Sequence, residues 1–154
     1  MSNGPTSLQD PSLPILLRHA RDAYGTAMRA ALADAGHDDI PENGLHVIGG
    51  LARQKGDRPL SHVIVELGVS KQVAGQLVDT LVVRGYVRRE VDAADRRKLV
   101  LALTDRGREA AKIIGAARRA LDAALIARAG PRDVARTRKT LATLVEIARD
   151  RRER

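Results

Sequence analysis

The apolar positions of this chain leave the helical period in one place, and that place marks its centre. Over Leu60 to Val83 they recur at three- and four-residue steps, as on one side of a helix, whereas Leu99, Leu101 and Leu103 alternate with Val100 and Ala102 at a strand period. Gly68-Val69-Ser70 interrupts the helical part: a glycine suited to a left-handed C-terminal turn, then a serine suited to an N-cap. The pattern therefore predicts a short helix, a tight turn, and a second helix that starts at Lys71 and is closed by Gly85. In the second helix Val73, Leu77, Val78, Leu81 and Val82 form the buried stripe, which leaves Lys71, Gln72, Gly75, Gln76, Asp79 and Thr80 on the other side. Tyr86 to Val91 is the expected strand partner of Leu99 to Leu103, with Asp92 to Lys98 as the turn between them.

The flanks are helical. From Leu13 to Ala35 an apolar stripe of Leu17, Ala20, Tyr24, Ala27, Met28, Ala31 and Ala35 is longer than a small module can cover, so part of it is available for a second subunit. His37 to Ile40 reads as a polar connector. Pro41 with Glu42 suits the start of a helix whose buried side is Leu45, Ile48, Leu51 and Ala52. After the ribbon, Thr104 is placed to cap a helix bearing Ala110, Ile114, Ala117, Leu121 and Leu125, and Gly130-Pro131 breaks it. A last helix carries Val134, Thr137, Leu141, Leu144 and Ala148 at the steps of a lengthwise packing seam. Met1 to Ser12, rich in Ser, Gly, Pro and Asn, reads as a frayed leader. The expectation is a single, mainly α domain with a small β ribbon of two or three strands. Residues 41–103 form a winged helix-turn-helix, and the helices over 13–36 and 104–151 serve dimerisation.

Charge narrows the partner. A formal net charge of +8 favours an anionic ligand, and nucleic acid before a membrane surface, since no segment combines a basic face with bulky aromatic anchors. Phe, Trp and Cys are absent, so the core is aliphatic, and disulfides and thiolate metal sites are excluded. No apolar run reaches membrane-spanning length and no signal-like leader stands at the start, so a cytoplasmic protein is expected.

Lysine and glutamine on the exposed N-terminal half of a second helix suit phosphates and base edges, and Gln72 and Gln76, four apart, share one face. A solvated face is the bland alternative. In the ribbon Arg88, Arg89, Arg96, Arg97 and Lys98 outweigh Glu90, Asp92 and Asp95 by about two charges, which makes a cationic finger for a backbone or a minor groove. The four histidines are scattered and no phosphate loop or catalytic pairing is evident, so no enzyme, cofactor or metal is expected.

Three motifs in order carry a resemblance. Arg84-Gly85-Tyr86-Val87-Arg88-Arg89, then Asp92 with Asp95 and Arg97, then Leu103-Thr104 with Gly107 resemble the DNA-binding half of the MarR family of bacterial transcriptional regulators. The resemblance implies a homodimer that lays the helix from Lys71 into a major groove and the wing into the neighbouring minor groove of a pseudo-palindromic duplex. It places Ser70, Lys71, Gln72, Gln76, Thr80, Arg88, Arg89, Arg96, Arg97 and Lys98 at the DNA, with Arg97 as the wing arginine and Asp92 and Asp95 orienting the wing. It further implies a repressor relieved by a small aromatic or phenolic anion, for which His19, Tyr24 and His46 are the pocket candidates, although interface core is the stronger reading of Tyr24. Gly75 departs from the family pattern, which favours a larger polar residue there. A winged module that binds proteins instead of DNA is the alternative that fold alone leaves open.

Overall fold

The structure, a computed structural model, describes residues 11–53 and 58–153. Most of the expected leader, the four residues inside the basic turn before the helix-turn-helix, and the terminal Arg154 lie outside them. Among the described residues the chain forms two compact units, 1–117 and 118–154.

The first unit carries α1 (Leu13–Asp34), α2 (Gly44–Arg53), β1 (Arg58–Pro59), α3 (Leu60–Leu67), α4 (Lys71–Val83), β2 (Val87–Val91), β3 (Leu99–Leu103) and the start of α5 (Asp105–Ala129). β2 and β3 form the antiparallel ribbon, with Val87 opposite Leu103 and Val91 opposite Leu99, and β1 adds on the far edge of β3 to give the order β1-β3-β2. The core lies under this sheet: Ile48 of α2, Val78 and Leu81 of α4, Tyr86, Val87 and Leu101 are almost wholly buried, and Leu32, Ala110 and Ile114 join them from α1 and α5.

The turn between α3 and α4 forms as the punctuation predicts. Gly68 takes φ of 61° and donates its N–H to the Ile64 carbonyl, and Ser70 accepts the Val73 N–H at 3.2 Å. The two later motifs, distant in sequence, turn out to be one joint. Just past α4, Gly85 takes φ of 78°, and the Tyr86 N–H returns to the Leu81 carbonyl at 2.9 Å. Thr104 then donates its hydroxyl to the Gly85 carbonyl at 2.5 Å, its own N–H bonds the Tyr86 carbonyl, and its hydroxyl oxygen caps α5 by accepting the Gly107 N–H at 3.0 Å. Gly107 is required by space: a Cβ there would sit 2.0 Å from the Tyr86 carbonyl oxygen.

Several expectations are corrected. α2 starts at Gly44, because Pro41 opens a turn whose carbonyl accepts the Gly44 N–H; Val47 is buried where Ala52 was expected. In α4 the buried residue of the first turn is Ala74, and Val73 stands 46% exposed. In α1 the buried residue is Leu32, while the expected stripe positions are half-buried or exposed. The apolar side of α5 is buried at Ala110 and Ile114 and emerges along the helix to Leu125.

The second unit comprises the rest of α5 and α6 (Pro131–Arg152). Arg138 of α6 reaches Asp122 of α5 at 3.7 Å, and Val134 is buried. Leu144, Val145 and Ile147 are all exposed.

Candidate nucleic-acid interface

α4 presents what a reading helix needs. Ala74, Val78 and Leu81 fix one side in the core, so the 100° advance per residue turns Gln72, Gln76 and Asp79 outward on the other. Ser70, Lys71 and Gln72, at the helix start, are exposed, as is Gln76 a turn later. Thr80 is half-buried and its hydroxyl donates to the Gln76 carbonyl at 2.9 Å, so that group is engaged by the helix itself. Asp79 would repel phosphate if left alone. Arg89 from β2 pairs with it across the gap between wing and helix.

The wing divides its cations into two sets. Arg88 and Arg89, on the strand, are engaged within the protein: Arg88 by Glu90 and by the Leu103 carbonyl at 2.9 Å, Arg89 by Asp79. Arg96, Arg97 and Lys98 stand exposed in and beside the turn, and among the described residues none makes an ion pair. The turn that displays them is built by its own acids. Asp92 accepts the Ala94 and Asp95 N–H groups at 2.7 and 3.2 Å, Asp95 accepts the Arg97 N–H at 3.1 Å, and two backbone bonds join Asp92 to Lys98 and Lys98 to Asp95. The carboxylates thus shape the backbone under the arginines.

Below the wing lies a polar clasp that pattern alone does not reveal. Tyr86 is fully buried and its hydroxyl donates to Asp39 at 2.5 Å. With that proton committed, His37 Nδ1, 3.2 Å away, acts as donor to the tyrosine oxygen. Arg106 from α5 lies 4.3 Å above the Tyr86 ring, pairs with Asp39 at 3.2 Å and bonds the Arg84 carbonyl; Arg84 in turn bonds the Asp39 carbonyl. The tyrosine hydroxyl bond, with the Arg106 and Arg84 charges behind it and burial opposing, holds the Asp39 carboxyl below its usual range. Burial first, then the bond to Asp39, pushes the Tyr86 phenol up to about 12. His37 is buried at the heart of this cluster, although its segment reads as a polar connector. The available signal was Tyr86 itself: a tyrosine at the junction of a helix and a strand whose other inward residues are aliphatic needs a partner for its hydroxyl.

The three pocket candidates are less closely associated. His19 is exposed on α1, Tyr24 is half-buried, and five residues of helix put them roughly 140° apart. His46 of α2 is exposed and meets Arg21 of α1, Nε2 to Nη2 at 3.5 Å. No group of three or more His, Asp or Glu among the described residues is placed to hold a metal ion, and none of their helices is long and apolar enough to cross a membrane.

Residues 39–98 match the family model described as MarR family. No curated protein matches the chain in sequence. Among solved structures the chain is similar to MarR, at 22% identity and a TM-score of 0.74, with 94% of this chain and 95% of that one covered. It is also similar to FabT of Streptococcus pneumoniae, solved in complex with DNA, at 22% identity and a TM-score of 0.74 over 90% of this chain and 96% of that one. A third likeness is to NadR in complex with 4-hydroxyphenylacetate, at 24% identity and a TM-score of 0.71 over 94% and 99%. The clasp residue Asp39, the α3–α4 turn, β2 and the wing turn fall inside the matched segment, and β3 follows it. Residues 39–98 thus match the MarR family model, and the chain that carries them has the winged-helix fold of the solved MarR-type regulators.

Proposed function

We propose that the whole chain acts as one MarR-type domain, a cytoplasmic homodimeric regulator that binds a pseudo-palindromic DNA site and represses transcription until a small aromatic or phenolic anion releases it. The carrying observation is the juxtaposition of an exposed Lys71-Gln72-Gln76 face on α4 with the unpaired Arg96, Arg97 and Lys98 of the wing. Base-reading groups and phosphate-binding charges then stand side by side, with Asp79 between them neutralised by Arg89. FabT's complex with DNA and NadR's with 4-hydroxyphenylacetate support the two halves of the reading by analogy of fold. α1, α5 and α6 supply the dimer contacts, since each carries aliphatic side chains that this chain leaves exposed: Leu13 and Leu16, Leu125 and Ile126, Leu144 and Val145.

A gel shift on the DNA upstream of the protein's own gene, repeated over a range of salt concentrations, tests this. A discrete complex whose affinity falls steeply with salt is expected. A smear on all DNA, or no shift at all, points instead to a module that docks proteins.

A further inference from the structure

Val73 is out of place as a core residue. It occupies the first turn of α4, the part of a reading helix that meets bases, yet it is 46% exposed while its neighbour Ala74 is fully buried. Its exposure gives the core little, and a β-branched side chain adds nothing to helix propensity. Around it stand Gln72 and Gln76, the latter three residues on and therefore adjacent on the surface. At Gly75 there is no side chain, and the space where one would stand is open, with nothing within 4 Å. The exposed start of α4 therefore offers two amides, one branched aliphatic group and a gap.

From this we infer that Val73 is a specificity-determining residue that packs against the 5-methyl group of a thymine in the major groove, beside an adenine read by Gln72 or Gln76. The chemistry matches on both counts. Glutamine is the side chain that bonds adenine N6 and N7 together, and thymine is the base that shows a methyl group in that groove. Gly75 lies on the opposite flank of the outward face from Val73, where it removes bulk beside Gln72, while Val73 stands beside Gln76. The half-site opposite the first turn of α4 is accordingly built on A·T pairs.

The inference rests on the DNA-binding reading, and one experiment separates the two. Sites are selected from a random duplex pool by the full-length protein. In the selected site each thymine is then replaced in turn by deoxyuridine, which lacks only the methyl. Loss of one methyl opposite α4 should weaken binding about fourfold, as removal of one buried methyl-sized group does. Val73→Ala should show a similar loss on the thymine duplex and no further loss on the deoxyuridine duplex, and Val73→Thr, which keeps a methyl, should retain part of the discrimination. Equal affinity for thymine and deoxyuridine duplexes at every position overturns the role of Val73 even where specific binding is strong. So does a selected half-site with no A·T pair opposite α4. Failure to select any site overturns the DNA-binding reading itself.

Discussion

Tyr86 is the residue on which most of the joint converges, and its chemistry gives a stability test. Its phenol is pushed up to about 12 from an ordinary value near 10, so between those pH values the folded protein keeps a proton that the unfolded chain has lost. Stability contributed by the neutral phenol is therefore fully present below about pH 10 and is lost as pH rises through 12, a fall on the order of 2 kcal/mol. Urea unfolding of the protein and of Tyr86→Phe across that range should show the slope in the first and its absence in the second. At neutral pH the same variant should be less stable by about 1 to 3 kcal/mol, because His37 loses the acceptor for a buried donor. Arg89 supports a second test. If its task is to neutralise Asp79, Arg89→Ala should weaken DNA binding more than the loss of one distant charge does, and adding Asp79→Asn should recover most of that loss in a fluorescence-anisotropy titration. Recovery absent, Arg89 is a direct phosphate contact. At this scale the sequence told residue type better than residue partner. Arg88 and Arg89 read as wing charges like Arg97, and only the register of β2 against β3 and α4 places them against Glu90 and Asp79.

Among the elements, those held by local chemistry were the legible ones. The α3–α4 turn follows from Gly68 and Ser70, the ribbon from the alternation at Leu99 to Leu103, and the start of α5 from Thr104, each a matter of residues within a few positions of one another. Where tertiary contacts decide, periodicity misled. Pro41 suits a helix start, but the chain makes a turn first; Val73 fits the stripe by spacing, but Ala74 is the residue small enough to lie fully against the core. In the clasp of His37, Asp39, Tyr86 and Arg106 the need of Tyr86 for a partner was legible but the partners were not, since they are joined by contacts 47 and 67 residues apart along the chain. Gly107 gives the elemental test. Gly107→Ala asks a methyl group to share space with the Tyr86 carbonyl, a backbone atom with no rotamer to escape to, and should destabilise by more than about 2 kcal/mol in denaturant unfolding. Gly75→Ala, with open space around it, should be neutral or slightly stabilising in the same measurement.

For the whole molecule the proposed partner copy sets the tests. Leu144 and Val145 are 44% and 69% exposed near the end of a chain rich in charge, and Leu144→Asp should convert a dimer to a monomer in light scattering while leaving the helical signal of the first unit unchanged. A dimer that survives the change places the interface elsewhere. With Lys71, Arg96, Arg97 and Lys98 from each of two copies near phosphates, the logarithm of the affinity should fall against the logarithm of salt with a slope of about −4 to −7. Arg97→Ala should make that slope shallower by up to about two, one for each copy.

The weld through Thr104 gives the molecule its mechanics. That one side chain bonds both the Gly85 carbonyl just past α4 and the Gly107 amide in the first turn of α5, so the end of one helix and the start of the other are tied through a single residue. A change in the direction of the first turn of α5 would therefore strain the bonds that hold the C-terminal end of α4.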